Sequence, residues 1–94
     1  MNNNIIKEEF EKLLEPFHPF DIKYVAPYKN DCESGYIATI IDNENSHKII
    51  MDMRTKNYAQ RVDQDTYEFD LDYGYCQIID NGDRYNIFCG AIAW

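Results

Sequence analysis

The segment from residue 67 to residue 73 most constrains the fold of this chain, because apolar and acidic side chains alternate in it at every position. The apolar positions are Tyr67, Phe69, Leu71 and Tyr73, and the acidic positions between them are Glu68, Asp70 and Asp72. Successive side chains of a β-strand point to opposite faces of the sheet, so this period indicates a strand. One face would lie against a core and the other in water, which is typical of an antiparallel sheet.

A turn signal near the C terminus predicts a hairpin. Asn81-Gly82 separates the segment 75–79 from the apolar segment 85–93. Asn-Gly favours a two-residue hairpin turn because both positions tolerate positive φ. Since the last segment is apolar, we expect an interior strand there, with Trp94 packed or at an interface.

The N-terminal segment has the spacing of an amphipathic helix. Its apolar stripe consists of Ile6, Phe10, Leu13, Leu14 and Phe17. Pro16 disfavours helical geometry at the residue before it, so the helix is predicted over 4–15. An apolar stripe must cover an apolar surface, and we expect it to pack on the sheet face that holds Ile40, Phe69 and Ile87.

The middle of the chain predicts further strands. Alternation over 20–26 indicates a strand, a polar loop is expected over 27–34, and the apolar run 36–41 predicts a strand buried on both faces. A turn cluster follows, and the segment 47–53 is predicted to form a hairpin with the preceding strand. Residues 54–64 fit a short helix capped by Thr55.

Together these elements predict one α+β domain over residues 1–94. An N-terminal helix would pack on a mostly antiparallel sheet of about five or six strands. No apolar run approaches the roughly 20 residues of a membrane helix, and the N terminus lacks the basic and apolar segments of a signal peptide. The protein is therefore expected to be intracellular, in the cytoplasm.

The net charge of −8 argues against direct binding to nucleic acid or to a membrane, because both polyanions need Lys and Arg. The charge is concentrated in residues 63–83, which contain seven acids and no basic residue. The seven acids are Asp63, Asp65, Glu68, Asp70, Asp72, Asp80 and Asp83. The rest of the chain holds ten acids and nine basic residues, a net of −1.

The spacing of three of these acids suggests a function. Alternate strand residues lie about 6.6–6.8 Å apart, so Glu68, Asp70 and Asp72 would form a row spaced like backbone phosphates. Such a row can occupy a cationic groove, although a solvated strand face would show the same pattern. All seven acids are predicted to bind a basic partner, and so are Tyr28 and Tyr58, two tyrosines in polar stretches.

These features favour an inhibitor that covers the cationic groove of a basic protein, such as a nuclease or a nucleic-acid-binding complex. Small acidic anti-CRISPR and anti-restriction proteins of phages act in this general way. An immunity protein against a nuclease toxin would use the same residues. An assembly subunit that associates through its sheet edge is a third possibility.

The residues that carry chemistry are sparse. Cys32, Cys76 and Cys89 are odd in number and form no C-x-x-C pair, which predicts free thiols and no metal site. The segment 70–74 begins like a calcium loop, but Gly74 stands where a ligand is needed. No cofactor and no enzymatic activity are expected. The alternative is a small enzyme that uses Cys32 or Cys76 with His47.

Overall fold

The computed structural model describes residues 3–92 and has the predicted α+β fold. Helix α1 (Asn3–Leu14) runs into a 3-10 turn at Glu15–Phe17. The elements that follow are β1 (Ile22–Lys29), β2 (Glu33–Ile41), α2 (Glu44–Lys56), β3 (Gln60–Asp63), β4 (Thr66–Asp70), β5 (Tyr75–Asp80) and β6 (Arg84–Ile92). Trp94, expected to be packed or at an interface, lies outside the described residues.

The six strands form one sheet in the order β1-β2-β6-β5-β4-β3, and all neighbours are antiparallel. The C-terminal strand β6 lies between β2 and β5, which confirms its predicted interior position. The predicted hairpin joins β5 to β6, but of the two residues expected to accept positive φ only Gly82 has it, at 88°, and Asn81 does not. The Asn81 N–H donates to the Arg84 carbonyl at 2.9 Å and closes this turn.

The apolar stripe of α1 packs on one face of the sheet, as predicted. Its side chains at Ile6, Phe10, Leu14 and Phe17 are buried and Leu13 is half-buried. They share a single core with Ile40, Phe69 and Ile87. The Phe10 ring also stacks on Tyr36, with centroids 5.8 Å apart. We call this side of the sheet the helix face.

The strand and hairpin predicted at 47–53 are wrong, because this segment belongs to helix α2. Asn43 caps the helix, and its side-chain oxygen accepts a hydrogen bond from the Ser46 N–H at 2.8 Å. Ile50 and Met53, three residues apart, are buried in the core of the helix face. The polar cluster before 47 is thus a helix cap and not a hairpin turn.

The short helix predicted within 54–64 is also wrong. Thr55 lies in the last turn of α2, where its hydroxyl donates to the Met51 carbonyl at 3.0 Å. The chain then reverses at Tyr58, whose φ is 52°, and β3 begins at Gln60.

The loop predicted over 27–34 is shorter than expected. Strand β1 begins two residues later than predicted, continues to Lys29, and leaves only residues 30–32 between β1 and β2. Asn30 makes this tight turn possible, because its side-chain oxygen accepts from the N–H groups of Cys32 and Glu33 at 2.8 and 2.7 Å.

The opposite side of the sheet, which we call the open face, carries neither α1 nor α2. It includes Ile37, Phe88, Gln77 and Glu68, which are paired across β2, β6, β5 and β4 and therefore share a face. Strand β2 is thus only partly buried on this side. Neither helix within residues 3–92 is long and apolar enough to cross a membrane.

Candidate functional site

The structure separates the seven predicted acids into three places. Four of them lie in or directly before the β3–β4 and β5–β6 turns, which adjoin at one end of the sheet. The Asp80 N–H donates to the Asp65 carbonyl at 2.9 Å and joins these turns. A further acid follows β2 at the same end, because the end of β2 pairs with the start of β6. We define the acidic end as Asp42, Asp63, Asp65, Asp80 and Asp83.

One basic side chain is paired with the acidic end. The Arg84 guanidinium bonds both carboxylate oxygens of Asp83, at 3.1 and 3.2 Å. Arg84 lowers the pKa of the Asp83 carboxyl, and Asp83 raises the pKa of Arg84. Both are exposed, so the pair adds little stability. No other acid of this end forms an ion pair with a residue between 3 and 92.

Glu68 and Asp70 form a second group, on the open face of β4. Glu68 is half-buried, and its carboxylate accepts from the Gln77 amide at 2.9 Å. Its neighbour on the other side is Gln60 of edge strand β3. Asp70 is exposed at the end of β4. These two acids keep the spacing and the orientation that the alternation predicted.

Asp72 is separate, and the predicted row of three acids is wrong at this position. Strand β4 ends at Asp70, and the Leu71 N–H donates to the Gly74 carbonyl at 2.9 Å. This turn interrupts the alternation. Asp72 lies in the loop, where its backbone N–H donates to the Glu9 carboxylate of α1 at 3.2 Å.

A recess at the β3 edge brings three of the predicted residues together, namely Tyr58, Glu68 and Asp70. Its volume is about 270 Å³. Pockets for drug-sized ligands run from about 300 to 1,000 Å³, so this recess suits a single side chain better. We define the edge recess as Tyr58, Gln60, Val62, Glu68 and Asp70.

Tyr58 has an unfavourable backbone conformation in this recess. The Ala59 N–H donates to the Arg54 carbonyl at 3.0 Å, and the Tyr58 N–H to the Thr55 carbonyl at 3.4 Å. This is the Schellman pattern, in which the residue at the position of Tyr58 is left-handed and usually glycine. A left-handed conformation costs an L-residue about 1–2 kcal/mol.

Packing does not compensate Tyr58 for this conformation, because the residue is 88% exposed. Residues held in unfavourable backbone conformations cluster at active sites, ligand clamps and switch regions. Tyr58 is therefore a candidate binding residue.

Tyr28, the other predicted tyrosine, belongs to a different place. It lies on β1, at the opposite edge of the sheet from β3, so the two tyrosines do not share a site. The Tyr28 and Phe88 rings pack nearly perpendicular to each other on the open face, with centroids 5.2 Å apart. Its hydroxyl accepts from the Asn30 amide at 3.0 Å. This ring helps to bury Phe88, which is only 6% exposed.

The structure brings His47 to a tyrosine and places Cys32 far from it. The His47 Nδ1 and the Tyr85 hydroxyl lie 2.9 Å apart. Burial, reinforced by Asp42 and Asp80, raises the pKa of Tyr85. Cys32 lies in the β1–β2 turn, and α2 with His47 begins beyond the other end of the nine-residue strand β2. At about 3.3 Å per residue, that strand keeps them far apart.

A cleft beside His47 was not predicted from the sequence. It has a volume of about 240 Å³ and is lined by residues including His47, Arg54, Arg61, Asp65, Asp80 and Tyr85. The Arg54 guanidinium lies 3.5 Å from the centre of the Tyr67 ring. If this segment had been predicted as a helix, the spacing of His47 and Arg54 would have placed both residues on the same helix face. Since two arginines and two aspartates line the cleft, it does not select ligands of one charge.

Cys76 and Cys89 face each other across β5 and β6 and are both buried. Burial raises the pKa of Cys76 well above its usual value, and Cys89 adds to this effect. Because the thiolate is the nucleophile, Cys76 should be unreactive in the native protein. Cys32 is exposed.

We expect brief alkylation with iodoacetamide at neutral pH to add one group to the native protein, at Cys32. Unfolding in guanidinium should allow all three cysteines to react, and intact-mass spectrometry distinguishes the two results. A Cys32→Ser variant should take up nothing while native. A second adduct that forms as fast as the first would contradict the burial of Cys76 and Cys89.

Within residues 3–92, no group of three or more His, Cys, Asp or Glu side chains is arranged to hold a metal ion. Comparison with known proteins finds no matching family model, no matching curated protein and no matching solved structure. The function is therefore inferred from the residues of the chain itself.

Proposed function

We propose that the protein binds a basic protein partner and that the edge recess receives a Lys or Arg side chain of that partner. The exposed Tyr58, held in a left-handed conformation beside Glu68 and Asp70, is the observation that carries this proposal. A cation is attracted to the face of a tyrosine ring. Carboxylates beside it add charge-assisted hydrogen bonds.

The acidic end supports the same function at longer range. Its carboxylates are mostly without ion pairs in the described part of the chain, and the whole protein carries a charge of −8. A field of this sign steers a cationic partner towards the protein and raises the association rate. Salt screens the effect over a Debye length of about 8–10 Å.

The partner class follows from the charge. Proteins that handle nucleic acid carry Lys and Arg to neutralise phosphates, and a protein bound over those residues excludes the nucleic acid. The protein would then act in the cytoplasm as an inhibitor of a nuclease or of a nucleic-acid-binding complex. Anti-CRISPR and anti-restriction proteins of phages belong to this class, and an immunity protein against a nuclease toxin would use the same chemistry.

The distribution of the acids favours local capture over imitation of a long phosphate backbone. Only Glu68 and Asp70 keep the phosphate-like spacing of about 6.6–6.8 Å on the open face. Asp72 lies beyond the strand, and the acidic end is formed by turns and the strand ends beside them. The contact is thus centred on the edge recess.

A Tyr58→Gly substitution is expected to raise stability and to weaken binding. Glycine adopts the left-handed conformation without a steric penalty, so the free energy of unfolding should rise by about 1 kcal/mol. The affinity for the partner should fall about tenfold, because the ring that receives the cation is lost. Urea denaturation and surface plasmon resonance measure the two effects.

The partner is identified by comparing the proteins that immobilised wild type and its variants capture from the host lysate. It must be retained by immobilised wild type and by a Glu8→Lys/Glu11→Lys variant, and its affinity for Tyr58→Gly is measured only afterwards, with the purified partner. Displacement of nucleic acid from the purified partner then tests inhibition. Tyr73→Gly is the matched control, because Tyr73 is exposed but lies outside the recess. If Tyr58→Gly is more stable yet binds as tightly as wild type, the recess is not the contact.

A further inference from the structure

The two edges of the sheet differ in how they are protected. An edge strand presents unpaired backbone N–H and C=O groups, and proteins commonly block such edges with proline and lysine. Strand β1 contains Pro27 and two lysines, Lys23 and Lys29. Strand β3, from Gln60 to Asp63, contains neither residue type, and all four of its residues are exposed.

Of the two charged side chains of β3, Asp63 lies at the end of the strand and Arg61 is turned back on its own loop. Its guanidinium donates to the carbonyls of Asp63 and Gln64, at 3.2 and 2.8 Å. These bonds hold it at the turn that follows the strand. The start of β3 is therefore open to pairing with another strand.

The edge recess adjoins this open edge. Gln60 and Val62 of β3 line it together with Glu68 and Asp70 of β4, and Gln60 is paired with Glu68. Neighbouring strands lie about 4.7–4.9 Å apart, so a strand added to β3 would run about 9–10 Å from β4. A Lys or Arg side chain of that strand can cross β3 to the carboxylates. Alternate residues of the added strand would face the recess.

We infer that β3 takes up an extended basic segment of the partner as a seventh strand, with one Lys or Arg side chain of that segment in the edge recess. This inference rests on the proposed function and specifies its binding mode. Backbone pairing supplies affinity in such complexes, and the side-chain pockets supply specificity.

The negative charge around β3 favours a basic segment over a second copy of this chain as the strand that pairs with this edge. A second copy of the chain paired at β3 would bring Asp63, Glu68 and Asp70 close to the same acids of its neighbour. Each copy also carries a net charge of −8. Like charges opposed across a sheet destabilise the pair, whereas a basic segment meets the same surface with complementary charge.

Two synthetic peptides test the inference. One is an eight-residue peptide of alternating Lys and Val, and the other has the same sequence with every backbone nitrogen methylated, so that it keeps its charge but cannot donate to β3. Wild type should bind the first peptide at least tenfold more tightly. In ¹⁵N NMR, amide exchange within residues 60–63 should slow at least tenfold with the first peptide only.

A Glu68→Gln/Asp70→Asn variant distinguishes a failure of strand pairing at β3 from a failure of cation capture at the recess. It should weaken both peptides, because both carry the charge. Three results together would show that strand pairing is wrong while cationic capture stands. These results are equal binding of the two peptides, β3 amides that stay unprotected, and weaker binding of both peptides by this variant. If the variant weakens neither peptide, capture at the recess is wrong as well. Protection of β3 that depends on protein concentration without peptide would assign the edge to a second copy and overturn the inference.

Discussion

Replacing Phe69 with alanine is expected to lower the free energy of unfolding by about 3–5 kcal/mol. Phe69 is 4% exposed and lies in the core between the sheet and the two helices. The loss combines the transfer of the ring to water with the cavity that remains. Urea denaturation measures it, and an unchanged m value would show that only stability has changed.

Phe20→Ala is the matched control for this measurement. Phe20 is 84% exposed in the turn before β1, so its removal should change stability by no more than about 0.5 kcal/mol. A loss below about 0.5 kcal/mol for Phe69→Ala would contradict the register of β4. Because Phe69 and Glu68 point to opposite faces, that outcome would also remove Glu68 from the edge recess.

Reversing both recess acids, with Glu68→Lys and Asp70→Lys together, is expected to weaken binding to the basic partner about 100-fold or more. The change removes two attractive charges and adds two repulsive ones, and like-charge contacts at an interface cost several kcal/mol. The fold should survive, because Asp70 is exposed and Glu68 makes one side-chain hydrogen bond, to Gln77. Association and dissociation rates at two salt concentrations measure the effect.

A Glu8→Lys/Glu11→Lys variant carries the same change in net charge, from −8 to −4. Both residues are exposed on α1, on the other side of the sheet. We expect it to slow association at low salt and to have little effect once salt screens the field. Asp72→Lys should behave like this control, because Asp72 lies beyond β4. Unchanged affinity of a folded recess variant would show that Glu68 and Asp70 form only a solvated face.

The elements that could be predicted from the sequence are those with a local signal. The alternation of Glu68 and Phe69 identifies the two faces of β4, and Gly82 marks a turn that needs positive φ. Helix α2 gave an ambiguous signal, because adjacent Ile49 and Ile50 fit a buried strand as well as a helix. The deciding feature was Asn43, and asparagine serves equally as a turn residue and as a helix cap.

The candidate site depends on contacts that no local pattern contains. Tyr58, Glu68 and Asp70 could each be identified from the sequence, but not their shared recess. That recess exists because β3 pairs with β4 and α2 ends beside them. Asp42 was missed for a similar reason, since the sheet order brings the end of β2 to the start of β6.

The left-handed tyrosine at the end of α2 also has an evolutionary consequence. Asparagine tolerates this conformation much better than tyrosine, and a single nucleotide substitution converts a tyrosine codon into an asparagine codon. A lineage that no longer uses the recess would therefore gain stability by a change that mutation supplies readily. The residue at position 58 in diverging descendants would record whether the contact is still under selection.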